Sequence, residues 1–304
     1  MTIHNVALVG ANGNLGTEVL RALVSAGTFS TTVVQRQSSS SVPGSEVGGN
    51  IRIVTVDDTL SLESLKAAFK DQDAVVTCFP LRDPTQHLRI ADAAAAAGVR
   101  RVIPADYGSC DSSSPRAQEL VPLFKNKTAV RERLQELAAA NSEFSWTSIV
   151  CGHFFDWGLR ENFLHFNLKT KKADILDHGE YKSSTATLSR VAEAVVKILQ
   201  MEKETRNKVL FIQSFCVSQL EVLAALERAT GSKWEATYIN SEDFIKEHKI
   251  KADAGDRASI EDLVFALGAL DGNWETRDGF SMDLLGFKNE DLDQVVKQVV
   301  DSAT

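Results

Sequence analysis

The chain has 304 residues, of which 43% are hydrophobic and 24% are charged, so it can bury the core of one large α/β domain, with or without a smaller appendage. Its net charge of −8 and the lack of a long Lys/Arg run argue against a nucleic-acid partner. Four scattered cysteines predict neither disulfides nor a metal site, and no stretch is apolar enough to predict a membrane span, so we expect a cytoplasmic protein without a membrane partner.

Strand-like and helix-like segments alternate from the N-terminus, beginning with an apolar run at 5–10, a helical pattern at 15–27 and a β-branched run at 31–36. The alternation continues through strand 51–57, helix 62–71, strand 74–80, helix 85–98, strand 100–108, a helix at about 116–141 and strand 144–150. Strands separated by helices predict an α/β fold with a doubly wound, parallel, Rossmann-like sheet. The Ser- and Gly-rich stretch 37–49 predicts a loop.

The alternation loosens after about residue 155. Short strands are predicted at 173–176, 181–188 and 208–213, and helical patterns dominate the rest. We therefore predict a Rossmann domain at 1–154 and a smaller, mainly helical region at 155–304 that is interleaved with the first.

The turn after the first predicted strand reads GANGNLG and carries Gly10, Gly13 and Gly16. Glycines there allow a tight turn and a close approach of a pyrophosphate to backbone N–H groups, and the following helix adds its positive end. A plain β–α turn is the alternative, but the strand–turn–helix context favours dinucleotide binding. The predicted cofactor contacts of this loop also include Asn12, Asn14 and Leu15.

Charge predicts which dinucleotide is bound. No Asp or Glu occurs between Glu18 and Glu46, whereas Arg36 stands at the end of the second predicted strand. A guanidinium there would pair with the 2′-phosphate of NADPH, and the hydroxyls of Ser38 to Ser41 would assist. The alternative for Arg36 is a solvated surface side chain.

The reaction site of an open α/β sheet lies beyond the carboxyl ends of its strands. Asp106, Tyr107 and His153 follow predicted strands and have side chains that can handle protons. Each also has a structural alternative: a cap for Asp106, an aromatic wall for Tyr107 and a hydrogen-bonded core residue for His153. No tyrosine stands four residues before a lysine, so the Tyr-x-x-x-Lys pair of many reductases is missing.

One lysine falls among apolar residues on the helical wheel of the segment after Pro122. Lys127 lies within the arc of Leu123, Val130 and Leu134, while Lys125 points almost the opposite way. Lys127 is therefore predicted to face inward. The alternative is a lysine that lies along apolar surface and extends its ammonium to water.

Four segments, GANGNLG, AGVRRVIPADYG, LFKNKTAVR and VCGHFFDW, together resemble the isoflavone reductase, phenylcoumaran benzylic ether reductase and NmrA-like group of atypical short-chain dehydrogenases, in a fungal-type form. The resemblance implies that the glycine loop binds NADPH, that Arg36 binds the 2′-phosphate and that Lys127 lies beside the nicotinamide. Phe79 and Tyr107 are assigned to the same cofactor. The chain departs from the plant members in PADYG and in Gly152–His153, so substrate contacts do not transfer.

The function predicted from the sequence is reduction of a small aromatic or conjugated metabolite, namely a carbonyl, imine or benzylic ether, with NADPH. Lys127 would donate or relay the proton. The NADP-binding domain is predicted at 1–154 and the substrate-binding region at 155–304. Near the boundary, His153, Phe154 and Trp157 are expected to contact the substrate, with Phe155 in the same apolar wall. The alternative is a non-catalytic, NADP(H)-sensing regulator. We expect a monomer or a homodimer.

Overall fold

A computed structural model describes residues 2–39 and 51–303. The first half of the chain forms, in order, β1 (Asn5–Val9), α1 (Asn14–Ser25), β2 (Ser30–Arg36), β3 (Arg52–Val56), α2 (Leu62–Ala68), β4 (Ala74–Thr77), α3 (Pro84–Ala96), β5 (Arg101–Ile103), α4 (Pro115–Leu120), α5 (Pro122–Ala140) and β6 (Ser145–Val150). The second half continues with β7 (His153–Phe154), α6 (Phe155–Arg160), β8 (Phe166–Asn167), β9 (Lys172–Leu176), β10 (Lys182–Ala186), α7 (Leu188–Gln200), β11 (Lys208–Phe211), β12 (Phe215–Ser218), α8 (Gln219–Thr230), β13 (Glu235–Ile239), α9 (Ser241–Asp253), α10 (Arg257–Asp271) and α11 (Leu292–Ala303).

The main sheet of the described residues has seven strands in the order β11-β6-β5-β4-β1-β2-β3. From β3 to β6 all neighbouring strands pair in parallel. The order 3-2-1-4-5-6 is that of the doubly wound dinucleotide-binding fold. In this fold β2 and β3 are added on one side of β1 and the strands from β4 onward on the other, so the strand order reverses between β1 and β4. The predicted Rossmann-like fold is confirmed, and its ligand crevice is expected where β1 and β4 end.

The core of this sheet is apolar because helices cover both of its faces. Nearly every residue of β1 and β4 is buried, which is typical of parallel strands and explains their uninterrupted apolar sequence. Pairing in register between β2 and β3 sets Arg36 opposite Val56 at the carboxyl end of both strands. The register therefore brings the two following turns side by side.

The helix predicted at about 116–141 is two helices. Pro122 has no N–H to continue the first helix, and its ring forces the preceding residue out of the helical region. Val121 accordingly has an extended backbone, with φ −133 and ψ 112, and ends α4. Pro122 is then the first residue of α5, a position where proline is favourable.

The described residues fall into two compact units. The first takes its residues from Met1–Tyr107, Leu123–Ile149 and Ser189–Leu210, and the second from Gly108–Pro122, Val150–Leu188 and Phe211–Thr304. The predicted division of roles between 1–154 and 155–304 concerns ligand binding, and it stays a prediction.

The second unit contains strands that the sequence analysis missed. Besides its helices it has two three-stranded sheets within the described part of the chain, ordered β12-β10-β7 and β13-β9-β8. β9 and β10 match the strands predicted at 173–176 and 181–188, whereas β7, β8, β12 and β13 were not predicted. Across 2–39 and 51–303, no helix is long and apolar enough to cross a membrane.

Candidate cofactor cleft and active site

The glycine loop turns sharply between β1 and α1. Gly10 has φ +91, and a Cβ at this position would lie 2.9 Å from the backbone nitrogen of Phe79. A Cβ on Gly16 would lie only 2.0 Å from the carbonyl oxygen of Gly10. Both positions therefore require glycine for the fold itself.

Gly13 has a different reason to be glycine. It has an ordinary φ of −81, and the nearest atoms to an added Cβ, the carbonyl oxygens of Cys78 and Gly10, would lie at 3.5 and 3.6 Å. The fold thus has room for a side chain there. Gly13 precedes the first turn of α1, which has no acidic residue, so its neighbourhood suits an anion that approaches the backbone closely.

A cleft of about 510 Å³ opens beside this loop at the ends of β1, β2 and β4. The cleft lies at the point where the strand order reverses, which is the ligand position of this fold class. Of the predicted cofactor contacts, it brings together Gly10, Asn12, Gly13, Arg36 and Phe79. Their placement fits a dinucleotide whose pyrophosphate lies against the glycine loop.

Phe79 and Tyr107 lie at the ends of neighbouring strands. The half-buried Phe79 ring stacks on His87 of α3, with ring centroids 4.1 Å apart. The hydroxyl of Tyr107 lies 3.7 Å from the sulfur of Cys78, and Tyr107 adopts a left-handed backbone with φ 36. Burial raises the pKa of Cys78 to about 12, so its thiol stays protonated at neutral pH.

His87 was not predicted from the sequence. Its side chain is only 2% exposed, and burial lowers its pKa to about 4 against the opposing carbonyl of Pro80 and the charge of Asp83. The imidazole is therefore neutral at physiological pH and serves as a flat support for Phe79. The helical periodicity of α3 places position 87 on the buried face, and that is the signal that could have found it.

Arg36 is exposed at the end of β2, on the wall of the cleft. The structure adds a carboxylate that the sequence analysis did not consider, because Asp58 follows β3 rather than β2. Asp58 Oδ1 accepts a hydrogen bond from the backbone N–H of Ser38 at 2.9 Å. Hydrogen bonds from Ser38 and the charge of Arg36 hold the pKa of Asp58 below its usual value. Ser40 and Ser41, also expected to assist, lie outside the described residues.

Lys127 faces inward, as predicted. Lys127 is buried, with 9% of its surface exposed, whereas Lys125 on the same helix lies at the surface. The ammonium of Lys127 lies 5.5 Å from the centre of the Phe124 ring, one turn earlier, where the electron-rich face of the ring attracts a cation. Leu123 is only half-buried, so the buried face of α5 is centred on Phe124, Lys127 and Val130.

Asp106 forms a buried ion pair. Its carboxylate accepts a hydrogen bond of 2.5 Å from Arg131, which lies one turn beyond Lys127 on the same helix face. Both side chains are at least nine-tenths buried. Breaking a buried pair leaves a charge without compensation, which makes such a contact a strong tie between the segment after β5 and α5. The contact observed for Asp106 is thus an ion pair, rather than the cap considered as its structural alternative.

In the second unit, His153 and Phe155 are core residues. Burial lowers the pKa of His153 to about 4, and its Nε2 lies 3.3 Å from the carbonyl oxygen of Val264. Phe155 is 1% exposed and packs edge-to-face on Phe215, so the expectation that it lines a substrate wall is wrong. The substrate role of His153 stays a prediction.

Phe154 and Trp157 remain accessible in the same unit. Both are half-buried, and the Trp157 ring lies 5.4 Å from that of Phe163. Their accessible ring faces suit an apolar ligand. Their predicted contact with substrate stays a prediction.

The NmrA-like family model matches residues 2–273. The chain belongs to the NmrA-like family. It is 35% identical over 244 residues to the Aspergillus flavus protein named Oxidoreductase aprR, with 80% of this chain and 79% of that protein covered. It is 29% identical to the Penicillium oxalicum Oxidoreductase poxI, with 95% and 92% covered. The resemblance stated from the motifs is thereby confirmed, and the chain is an oxidoreductase.

The fold has close counterparts among solved structures. The solved structure of AtPrR2 with NADP+ and (+)pinoresinol superposes on this chain with a TM-score of 0.75 at 20% identity. The match covers 98% of this chain and 99% of that one. At this identity the match establishes the shared fold.

Proposed function

We propose that this oxidoreductase uses NADPH to reduce a small aromatic or conjugated metabolite, with a carbonyl, imine or benzylic ether as the reacting group. The observation that carries the proposal is the cleft at the β1–β4 reversal, with the glycine loop at its base and Arg36 on its wall. AtPrR2, a protein of the same fold, has been solved with NADP+ and (+)pinoresinol, which supports both halves of the proposal.

The glycine loop, Arg36 and Asn12 each have a role that follows from their position in the cleft. Backbone N–H groups in the first turn of α1, next to Gly13, bind the pyrophosphate, and Arg36 pairs with the 2′-phosphate. Asn12 extends from the loop to Ser39, with its Nδ2 3.3 Å from the Ser39 hydroxyl, and so fixes the adenosine end of the cleft. When bound, NADPH supplies a hydride from its nicotinamide ring.

The proton that must accompany the hydride is assigned to Lys127. Lys127 stands on the buried face of α5, where placing an ammonium costs desolvation free energy, whereas Lys125 is exposed. Its Nζ would donate to the oxygen or nitrogen of the substrate, or relay a proton to it. The Asp106–Arg131 ion pair fixes the turn of α5 that follows Lys127.

The substrate is expected to be apolar and planar. Phe154 and Trp157 offer half-buried rings, which bind aromatic compounds by stacking and edge contacts. His153 is neutral and closely packed, since a Cβ on Gly268 would lie 2.2 Å from its Nε2, so we expect it to support these rings rather than to exchange protons.

The experiment is NADPH consumption over a panel of aromatic enones, quinones, imines and benzylic ethers, run beside a titration of cofactor binding. We expect NADPH to bind and at least one class to be reduced. Binding of NADPH with no turnover of any class would contradict the proposal and favour the regulator that senses NADP(H).

A further inference from the structure

At the end of the cleft where Arg36 lies, a carboxylate accepts a hydrogen bond from a backbone N–H. The turn after β2 and the turn after β3 lie side by side because Arg36 pairs in register with Val56. Two residues beyond each of these, the N–H of Ser38 donates to Oδ1 of Asp58 at 2.9 Å. Asp58 is exposed, so it is not held there by packing.

The group of donors around Asp58 is one that a phosphate would use. It consists of the N–H and hydroxyl of Ser38 and the nearby guanidinium of Arg36, all three of which act on the Asp58 carboxylate. Arg36 and Ser38 also line the cleft, together with Asn12 and Ser39, whose side chains are 3.3 Å apart. A backbone N–H, a hydroxyl and a guanidinium are typical ligands of a phosphate monoester.

We propose that Asp58 is an internal competitor of the cofactor's 2′-phosphate, which holds the Ser38 N–H in the free protein and lowers the affinity for NADPH. The inference rests on the proposed function, because it takes the cleft to bind NADPH with the 2′-phosphate at Arg36. It assigns to Asp58 control of the preference between NADPH and NADH.

Asp58 and the 2′-phosphate compete for two reasons: their charges repel each other, and both need the same N–H. A carboxylate and a phosphate monoester of charge about −1.5 to −2 repel each other at short range. One N–H also makes one good hydrogen bond at a time, so the phosphate must displace Asp58 to reach Ser38. NADH has a 2′-hydroxyl instead, which carries no charge and can donate to Asp58. Asp58 therefore penalises NADPH and spares NADH.

The test is isothermal titration of the full-length chain with NADPH and with NADH. Asp58→Asn and Asp58→Ala should each bind NADPH about 3- to 20-fold more tightly than the wild type, because a repulsive charge close to the phosphate is removed. NADH affinity should change less than about twofold or fall. Asp58→Ala is included because the new amide of Asp58→Asn is itself able to donate to a phosphate, whereas alanine is not.

The matched control is Asp71→Asn. Asp71 is exposed in the same unit and has φ 62, a conformation that asparagine tolerates well. It removes the same charge outside the cleft, so NADPH affinity should stay at the wild-type value. The gain in the Asp58 variants should shrink in high salt, since exposed charges are screened.

Two results would overturn the inference in different ways. If the wild type binds NADPH and the Asp58 variants bind it equally or more weakly, Asp58 does not compete, and the proposed function stands. If neither the wild type nor the Asp58 variants bind NADPH, the proposed function fails and this inference fails with it.

Discussion

At the scale of single residues, two buried histidines make the protein sensitive to acid. Burial lowers the pKa of both His87 and His153 to about 4, below the usual value of 6.5. Between these values the unfolded chain binds a proton that the folded chain does not, so stability falls as pH drops from about 6.5 to about 4. We expect each histidine to account for a loss of about 2 kcal/mol between pH 7 and pH 5.

Replacing His87 isolates its share of this loss. His87→Phe keeps a flat ring against Phe79 and cannot be protonated, so the difference in unfolding free energy between pH 7 and pH 5, measured in urea, should shrink by about 2 kcal/mol. Because only the difference in unfolding free energy between the two pH values is compared, an effect of the substitution on packing that is the same at both pH values cancels. An unchanged difference would show that His87 is protonated in the folded protein.

The second prediction at this scale concerns Arg36. Arg36→Ala should weaken NADPH binding about tenfold, at the low end for a hydrogen bond to a charged group because Arg36 is exposed and lies near Asp58. NADH binding should not change, because NADH has no 2′-phosphate. Calorimetry with both cofactors measures this. A wild type that prefers NADH would contradict the charge argument.

At the scale of elements, alanine at two positions of the glycine loop should have different effects: one variant should lose stability and the other NADPH affinity. Gly16→Ala places a Cβ 2.0 Å from the Gly10 carbonyl oxygen and should lower the free energy of unfolding by about 1–3 kcal/mol. Gly13→Ala meets no atom closer than 3.5 Å, so the fold should keep its stability while NADPH affinity falls at least about tenfold. Denaturant unfolding and calorimetry on both variants measure the two effects. Normal NADPH binding by folded Gly13→Ala would place the pyrophosphate elsewhere.

Local patterns explain which elements were predictable. The glycine loop, the parallel strands and the inward face of Lys127 depend on periodicity and turn chemistry within a few residues, and these were read correctly. The contact of Ser38 with Asp58 depends on the register of β2 and β3, which no local pattern contains. Strands at 31–36 and 51–57 were nevertheless predicted, so pairing these two strands would have suggested the contact.

At the scale of the whole molecule, the second unit was harder to predict than the first. β7 and β8 have two residues each, and β12 and β13 have partners more than 25 residues away in the chain, so pairing rather than propensity makes them strands. The role of Phe155 was misjudged for the same reason. Its neighbour Phe215 is distant in sequence, and only the packed core shows that Phe155 is enclosed.

The central claim is that a buried lysine completes an NADPH-dependent reduction, and it is tested most directly by the turnover of Lys127→Met beside Lys125→Met. On a substrate that the wild type reduces, we expect kcat of Lys127→Met to fall about 10²–10⁴-fold, as for loss of a positioned proton donor, with NADPH affinity within about twofold. The exposed Lys125→Met should keep wild-type activity. Equal kcat values for the two folded variants would contradict the assignment of Lys127.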